Sequence, residues 1–222
     1  MTSRTLAERF AELQAERERT WPAARLEKNA RQRRVLVERN DPSARPQPGE
    51  RIAPFTLIDA EGHALASTDL LAQGPAVLVF FRYGGCPACN IALPYYEQTL
   101  WPALHAAGIP LLAVSAQIPV DRGPSLRHGL TFPTFSDPDY ALGRQLNLTF
   151  LPDDRPEVAP GQPWIGASLG TNSYEIDQPA VVVLNSDHTL RFIDVSPDWM
   201  VRTESDVVLA TIPEAGATAR AA

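Results

Sequence analysis

Cysteine is scarce in this chain: 222 residues hold only two, Cys86 and Cys89. With both in one motif, nothing is left to build a framework of structural disulfides. Zinc is disfavoured on the same ground, since the four histidines, His63, His105, His128 and His188, show no paired ligand spacing. No apolar run approaches the length of a membrane span. Met1 to Glu8 lacks the apolar core of a signal peptide. The expected compartment is therefore cytoplasmic and reducing, where a Cys-x-x-Cys pair is catalytic more often than structural. A basic surplus is missing too. The net charge is −6, and the 11 basic against 7 acidic residues of 1–45 leave 9 against 19 in the remainder. An acidic body argues against nucleic-acid binding. The glutamates interleaved with the arginines at the start fit a solvated helix better than a nucleic-acid arm.

What is present centres on Ala76 to Asn90. The apolar, largely β-branched and aromatic run Ala76-Val77-Leu78-Val79-Phe80-Phe81 predicts a buried strand, and Gly84-Gly85 a tight turn after it. Pro87 suits the first position of a helix, where a missing N–H costs nothing. Ile91, Leu93, Tyr95 and Tyr96 continue that helix past Pro94. This puts Cys86 at the helix cap and Cys89 one turn in, on the same side. Unpaired N–H groups and the positive end of the helix dipole favour thiolate over thiol at Cys86. Cys89 is then close enough to attack an oxidised Cys86 and close a small ring. An inert structural pair and half of a zinc site are the competing readings; redox chemistry fits the strand–Gly-Gly–Cys context better.

A composition 44% hydrophobic and 21% charged describes a soluble globular protein of one ordinary domain plus an extension. Residues 3–19 predict an amphipathic helix with Leu6, Phe10 and Leu13 on one face. Pro22 opens a second helix with Leu26, Ala30 and Val37 on its apolar side. This extension, 1–45, either packs on its own domain or forms a homodimer contact. A linker rich in proline follows, and 46–215 is expected as the main domain. Ile52–Asp59 predicts a short edge strand, Ser67–Leu71 a helical turn, and Ile109–Ser115 a buried strand parallel to Ala76–Arg82 through a right-handed crossover. Residues 122–129 and Tyr140–Leu146 predict short helices. Leu130–Asp137, which contains Pro133, predicts an edge strand. Phe150 to Asp177 looks like a long irregular loop anchored by Trp164 and Tyr174, either a lid over the cysteines or an idle insertion. Ala180–Asn185 predicts a strand, Leu190–Val195 its hairpin partner, and Glu204–Ala210 a last helix. Residues 216–222 are expected as a flexible tail.

Strand–Cys-Pro-x-Cys–helix resembles the thioredoxin superfamily. More closely, Phe81 to Asn90 resembles the phrase Phe-x-Arg-Gly-x-Cys-Pro-x-Cys-Asn of the peroxiredoxin-like branch of the alkyl hydroperoxide reductase / thiol-specific antioxidant (redoxin) family. The likeness runs from about Pro48 to Pro213. It implies an α/β thioredoxin-like sandwich, a central mixed β-sheet with helices on both faces, behind an N-terminal helical extension. It implies a cis proline facing the Cys-x-x-Cys, a place that Pro179 fits. It also implies peroxide attack by Cys86, resolution by Cys89, and arginine assistance, for which Arg82 and then Arg202 are the candidates. The chain departs from the family where a Thr or Ser and a Pro usually precede the attacking cysteine; Tyr83 and Val79 stand there. Gln178 stands where an arginine is usual. Three readings follow. One is a thiol peroxidase for hydrogen peroxide or organic hydroperoxides, recycled by a thiol reductant such as thioredoxin, glutaredoxin or glutathione. Another is a thiol–disulfide oxidoreductase acting on a disulfide substrate. The third is a redox-sensing binding module. No cofactor or metal is implied, and neither a nucleic-acid nor a membrane partner.

Overall fold

The computed structural model describes residues 4–118, 128–153, 155, 157–159 and 162–212. Most of the helix expected at 122–129, and the tail at 216–222, lie outside the described residues. Two helices come first, α1 (Leu6–Thr20) and α2 (Ala23–Glu38). Thr5 caps α1 through a reciprocal pair with Glu8, each side chain accepting from the other's backbone N–H. The hairpin β1 (Thr56–Ile58) and β2 (Ala64–Ala66) leads to the short α3 (Ser67–Leu70). Then come β3 (Ala76–Phe80), α4 (Cys89–Thr99), α5 (Trp101–Ala106), β4 (Leu111–Ser115) and β5 (Thr134–Ser136). After α6 (Ala141–Gln145), a small ladder of β6 (Thr149–Phe150) and β7 (Ile176–Asp177) encloses α7 (Ile165–Leu169). The hairpin β8 (Ala180–Leu184) and β9 (Leu190–Val195) and the helix α8 (Ser205–Ala210) complete the described chain.

Seven strands make one mixed sheet in the order β2-β1-β5-β4-β3-β8-β9. β3 is parallel to β4 and antiparallel to β8. The central strands are apolar along their whole length because both faces are covered. Val77 and Val79 of β3, with Val181 and Val183 of β8, face a core made with α1, α4, α5 and α8. Ala76, Leu78 and Phe80 face the other core, with Leu70, Leu142 and Leu146 from the α3 and α6 side. This is the expected sandwich with helices on both faces.

Two expected edge strands are interior to the sheet. Ile58 of β1 pairs with Ser136 of β5, and β2 takes the edge outside β1. β2 consists of Ala64, Leu65 and Ala66, too small and too short for its pattern to announce a strand. Pro133 does not force β5 to the edge because it precedes the strand: its missing N–H falls outside the ladder, and its carbonyl accepts from Ala113 N–H at 3.0 Å. The 150–177 stretch is less irregular than expected, since β6, α7 and β7 lie within or beside it. Trp164 and Tyr174 do anchor it, their rings 4.7 Å apart. Val37 is 51% exposed rather than on the packed side of α2; Leu36 turns to the core instead. α1 lays Leu6 and Phe10 on its own chain, against the core that holds Cys86, Cys89 and Trp199. Among the described residues no helix is long and apolar enough to cross a membrane.

Candidate active site

β3 delivers the site. Past Phe80 the backbone turns through Gly84 and Gly85, and Cys86 N–H donates to Tyr83 C=O at 3.1 Å. The turn is held from β4 and just beyond it: Ser115 Oγ donates to Arg82 C=O at 3.1 Å, and Gly84 N–H donates to Gln117 Oε1 at 2.8 Å. Although α4 begins at Cys89, Asn90 N–H already bonds Cys86 C=O at 3.0 Å in helical spacing. The cap residue of α4 is Ala88 and not Cys86 as the sequence suggests, because Pro87 and Ala88 form a turn before the helix; Cys86 lies one turn ahead of α4 and is tied to it by that single bond. Both thiols are free and buried, Cys86 at 2% and Cys89 at 0% exposure, while Gly85 and Pro87 on either side of Cys86 are exposed. Cys86 is the sulfur nearer to solvent.

The charge falls differently from the expectation. Cys89 Sγ accepts the backbone N–H of Arg82 at 3.4 Å and Arg202 Nη2 at 3.6 Å. Burial pushes the Cys89 thiol up, but a hydrogen bond from Cys86, the Arg202 charge and the Arg82 N–H together bring it down to about 5. Cys86 is pushed well above the usual thiol range, first by that hydrogen bond to Cys89, then by burial and by the Cys89 charge. The reduced pair therefore shares one proton and one negative charge. Arg202 and the Arg82 N–H pull that shared charge toward Cys89, whereas the helix cap alone suggests Cys86.

Three guanidinium groups are buried or half-buried in this part of the core, and Arg202 touches the pair. Arg82 lies 4.1 Å above the Trp199 ring, near Tyr83 and Phe150, with its Nε unpartnered among the described residues. Arg202 is fixed by its Nε bond to Trp199 C=O at 2.8 Å. The third is Arg17 of α1, 4% exposed, with Nη1 3.3 Å from Met200 Sδ. No carboxylate hydrogen-bonds any of the three among the described residues. Asp198, whose charge Arg202 feels, is held in a two-bond fork by Arg33 of α2 at 2.7 and 2.8 Å.

The other expected residues gather at the same end of the sheet. Ala180 pairs with Phe80, so Pro179 and Gln178 stand beside the point where β3 leaves for the cysteine turn. The bond before Pro179 is trans, which corrects the expected cis proline. The strand start needs no cis turn here: Gln178 N–H bonds Leu148 C=O and Ser196 N–H bonds Pro179 C=O, both within ordinary extended pairing. Gln178 Oε1 is buried without a hydrogen-bond partner among the described residues. Tyr83 is half-buried and its hydroxyl is pushed up by burial. Leu6 and Phe10 of α1 belong to the core that holds the cysteines, and from the described part of the 150–177 segment Phe150 lies beside Arg82.

Sequence reasoning missed Arg17 and Gln117. Arg17 did leave a signal: Leu6, Phe10 and Leu13 mark the packed face of α1, and position 17 continues that stripe with a charged residue. Among the described residues no cluster of three or more side chains could hold a metal ion.

The fold is shared with solved structures at low identity. Peroxidoxin BcpB from Mycobacterium tuberculosis superposes with a TM-score of 0.57 at 16% identity, over 78% of this chain and 97% of that one. A cysteine-to-serine mutant of peroxiredoxin 6 from Arenicola marina gives 0.59 at 19% identity, over 78% and 75%. A peroxiredoxin-like protein from Aquifex aeolicus gives 0.57 at 12%, over 78% and 89%. At these identities the likeness shows the fold alone. A search of curated protein sequences finds no match. A sequence model of the AhpC/TSA family matches residues 48–193, which spans the cysteine turn, the central sheet and the strand after Pro179. The chain therefore belongs to the AhpC/TSA family of thiol-dependent peroxidases and oxidoreductases.

Proposed function

We propose that this chain reduces hydrogen peroxide or an organic hydroperoxide with its Cys86–Cys89 dithiol. The observation that carries the reading is the sulfur pair itself. Two thiols at a helix start share one proton, and Arg202 and the Arg82 N–H hold the charge. Cys86 makes the attack, since Cys89 is enclosed and Cys86 is flanked by exposed residues. Cys86 passes its proton to Cys89, and the Cys86 thiolate attacks one peroxide oxygen. The O–O bond breaks, the alcohol or water leaves with the proton that Cys89 received, and Cys86 becomes a sulfenic acid while Cys89 is left as thiolate. Cys89 sulfur then attacks Cys86 sulfur, the S–S bond forms, and water departs. One hydroperoxide, one thiol, one thiolate and one proton from solvent give one disulfide, one alcohol or water, and one water. A thiol reductant of the thioredoxin, glutaredoxin or glutathione kind returns the two electrons.

The test is the stopped-flow rate of thiol loss to hydrogen peroxide and to an alkyl hydroperoxide, in wild type, C86S and C89S. The reading expects a rate orders of magnitude above free cysteine, lost in C86S. C89S should stop at a sulfenic acid that dimedone traps. A wild-type rate like that of free cysteine would sink it. The second reading, thiol–disulfide exchange without peroxidase activity, is favoured by Tyr83, Val79 and Gln178 standing where the peroxide-activating Thr, Pro and Arg are usual.

A further inference from the structure

We propose that Ser115 and Gln117, at the end of β4, are positioning residues of the sulfur pair: their side chains clamp the 82–84 turn so that the Arg82 backbone N–H stays aimed at Cys89 Sγ. This rests on the dithiol part of the function above and not on the peroxide part.

Backbone pairing between β3 and β4 ends where the turn begins. Phe81 N–H still bonds Val114 C=O at 2.9 Å, in the register of the two strands. Beyond that point the backbone after β4 turns to other elements: Ala116 N–H goes to Asp177 Oδ2 at 3.1 Å, and Ile118 N–H to Leu169 C=O at 2.9 Å. Side chains take over the hold on the turn. Ser115, 1% exposed, accepts Gln117 N–H at 3.2 Å and gives its own proton to Arg82 C=O at 3.1 Å. Gln117 Oε1 accepts Gly84 N–H at 2.8 Å. Two successive peptides are thereby held, the one after Arg82 by its carbonyl and the one before Gly84 by its N–H.

The turn has little stiffness of its own, because Gly84 and Gly85 leave the backbone wide freedom. A small rotation of one peptide would take Arg82 N–H off the sulfur, which lies 3.4 Å from the nitrogen. The holder, by contrast, is fastened from three sides. Asp137 N–H at the end of β5 donates to Ser115 C=O at 2.9 Å, and β7 and α7 take the two bonds from Ala116 and Ile118. Arg82 N–H and Arg202 Nη2 reach Cys89 Sγ from different parts of the chain. A thiolate accepts such donors more strongly than a thiol does, so a donor held in place favours the charged sulfur and one that drifts does not. Ser115 and Gln117 touch neither sulfur; they act through the Arg82 peptide.

The experiment compares the full reduced chain as wild type, S115A, S115T, Q117L and T5A, each shown to be folded by circular dichroism. Thiolate formation is read by its ultraviolet absorbance from pH 4 to 8, and the Arg82 amide by proton–nitrogen NMR over the same titration. In wild type that amide should shift with the thiolate midpoint. In S115A the midpoint should rise by about one pH unit, a roughly tenfold loss of thiolate below it, and the amide response should shrink about twofold. Q117L should move both in the same direction by a smaller step. S115T keeps the hydroxyl and should match wild type, as should T5A, which removes only the cap of α1. If S115A fails to fold, Q117L carries the test, since Gln117 is only half-buried. Variants that lose the clamp and keep the wild-type midpoint and amide response overturn the proposal, whatever happens to their melting temperatures. A wild-type midpoint like that of free cysteine overturns it together with the dithiol reading. No peroxide enters, so a failed peroxidase assay leaves these readouts standing.

Discussion

Arg202 reaches Cys89 Sγ with one guanidinium nitrogen at 3.6 Å, and Trp199 C=O fixes the other end of that group. With Cys89 at about 5, the pair's charge is fully developed across pH 6–8. R202M removes both a hydrogen bond and a charge, so the thiol rises and its ionisation moves into that window. Peroxide consumption should fall by roughly a hundredfold at pH 7, as when one charge-stabilising donor is lost. It should recover partly as pH rises toward 9, whereas the wild-type rate stays level between 6 and 8. A pH–rate profile that merely scales down without changing shape would mean that Arg202 supports the fold and not the sulfur. R82M should act less through hydrogen bonding, because it is the Arg82 backbone and not its side chain that donates to Cys89.

At the scale of elements, β7, α6 and the end of β4 meet over a pair of buried carboxyls. Asp137 accepts Leu142 and Gly143 N–H at the start of α6, and Asp177 accepts Ala116 N–H. Burial, and then the charge of Asp137, raise Asp177 from 3.8 to about 7; Glu175 adds to the rise and Arg144 opposes it. Between those values the folded chain keeps a proton that the unfolded chain has released, so stability falls as pH climbs from about 4 to 7 and levels off above. The bound on this loss is about 4 kcal/mol, and relaxation will make it smaller. D177N retains an acceptor for Ala116 N–H and offers Asp137 a donor. Its melting temperature should exceed that of wild type at pH 8, with the gap closing toward pH 5. A gap independent of pH would show that Asp177 does not titrate in this range.

The same elements show what the sequence could and could not say. β3, β4 and β8 were legible because a strand buried on both faces must be apolar throughout, and the Cys-Pro-x-Cys turn after β3 is written in consecutive residues. The place of β5 was not, since whether a strand is interior depends on β1 and β2, which lie about 70 residues earlier in the chain. The bearer of the sulfur charge was hidden for the same reason. The helix cap is local and pointed to Cys86, but Arg202 comes from 113 residues away and decides for Cys89. Pro179 does precede β8 as its sequence suggests, but the bond before it is trans and not cis, because position in the chain does not carry the isomer.

For the whole molecule, the two ends of the chain meet at the part that carries the site. The family match covers 48–193, while α1 and Arg202 both lie beyond it. Glu204 joins those ends: its carboxylate accepts the first free amides of α1, Leu6 and Ala7 N–H at 3.2 and 3.1 Å, and the Tyr95 hydroxyl of α4 at 2.6 Å. A carboxylate at a helix N-terminus also meets the positive end of the dipole. E204A should therefore cost about 2 kcal/mol in a urea titration, since it leaves three donors of two helices without their acceptor. T5A offers the control, because Thr5 caps the same helix and its hydrogen bonds among the described residues stay within that helix; it should cost about 1 kcal/mol. The two should separate in the alkylation rate of reduced Cys86. E204A frees α1 from the helix that carries the cysteines and should raise that rate several-fold, while T5A leaves it near wild type. Equal rates in the two variants would show that α1 governs access to the sulfurs no more than any other destabilised helix.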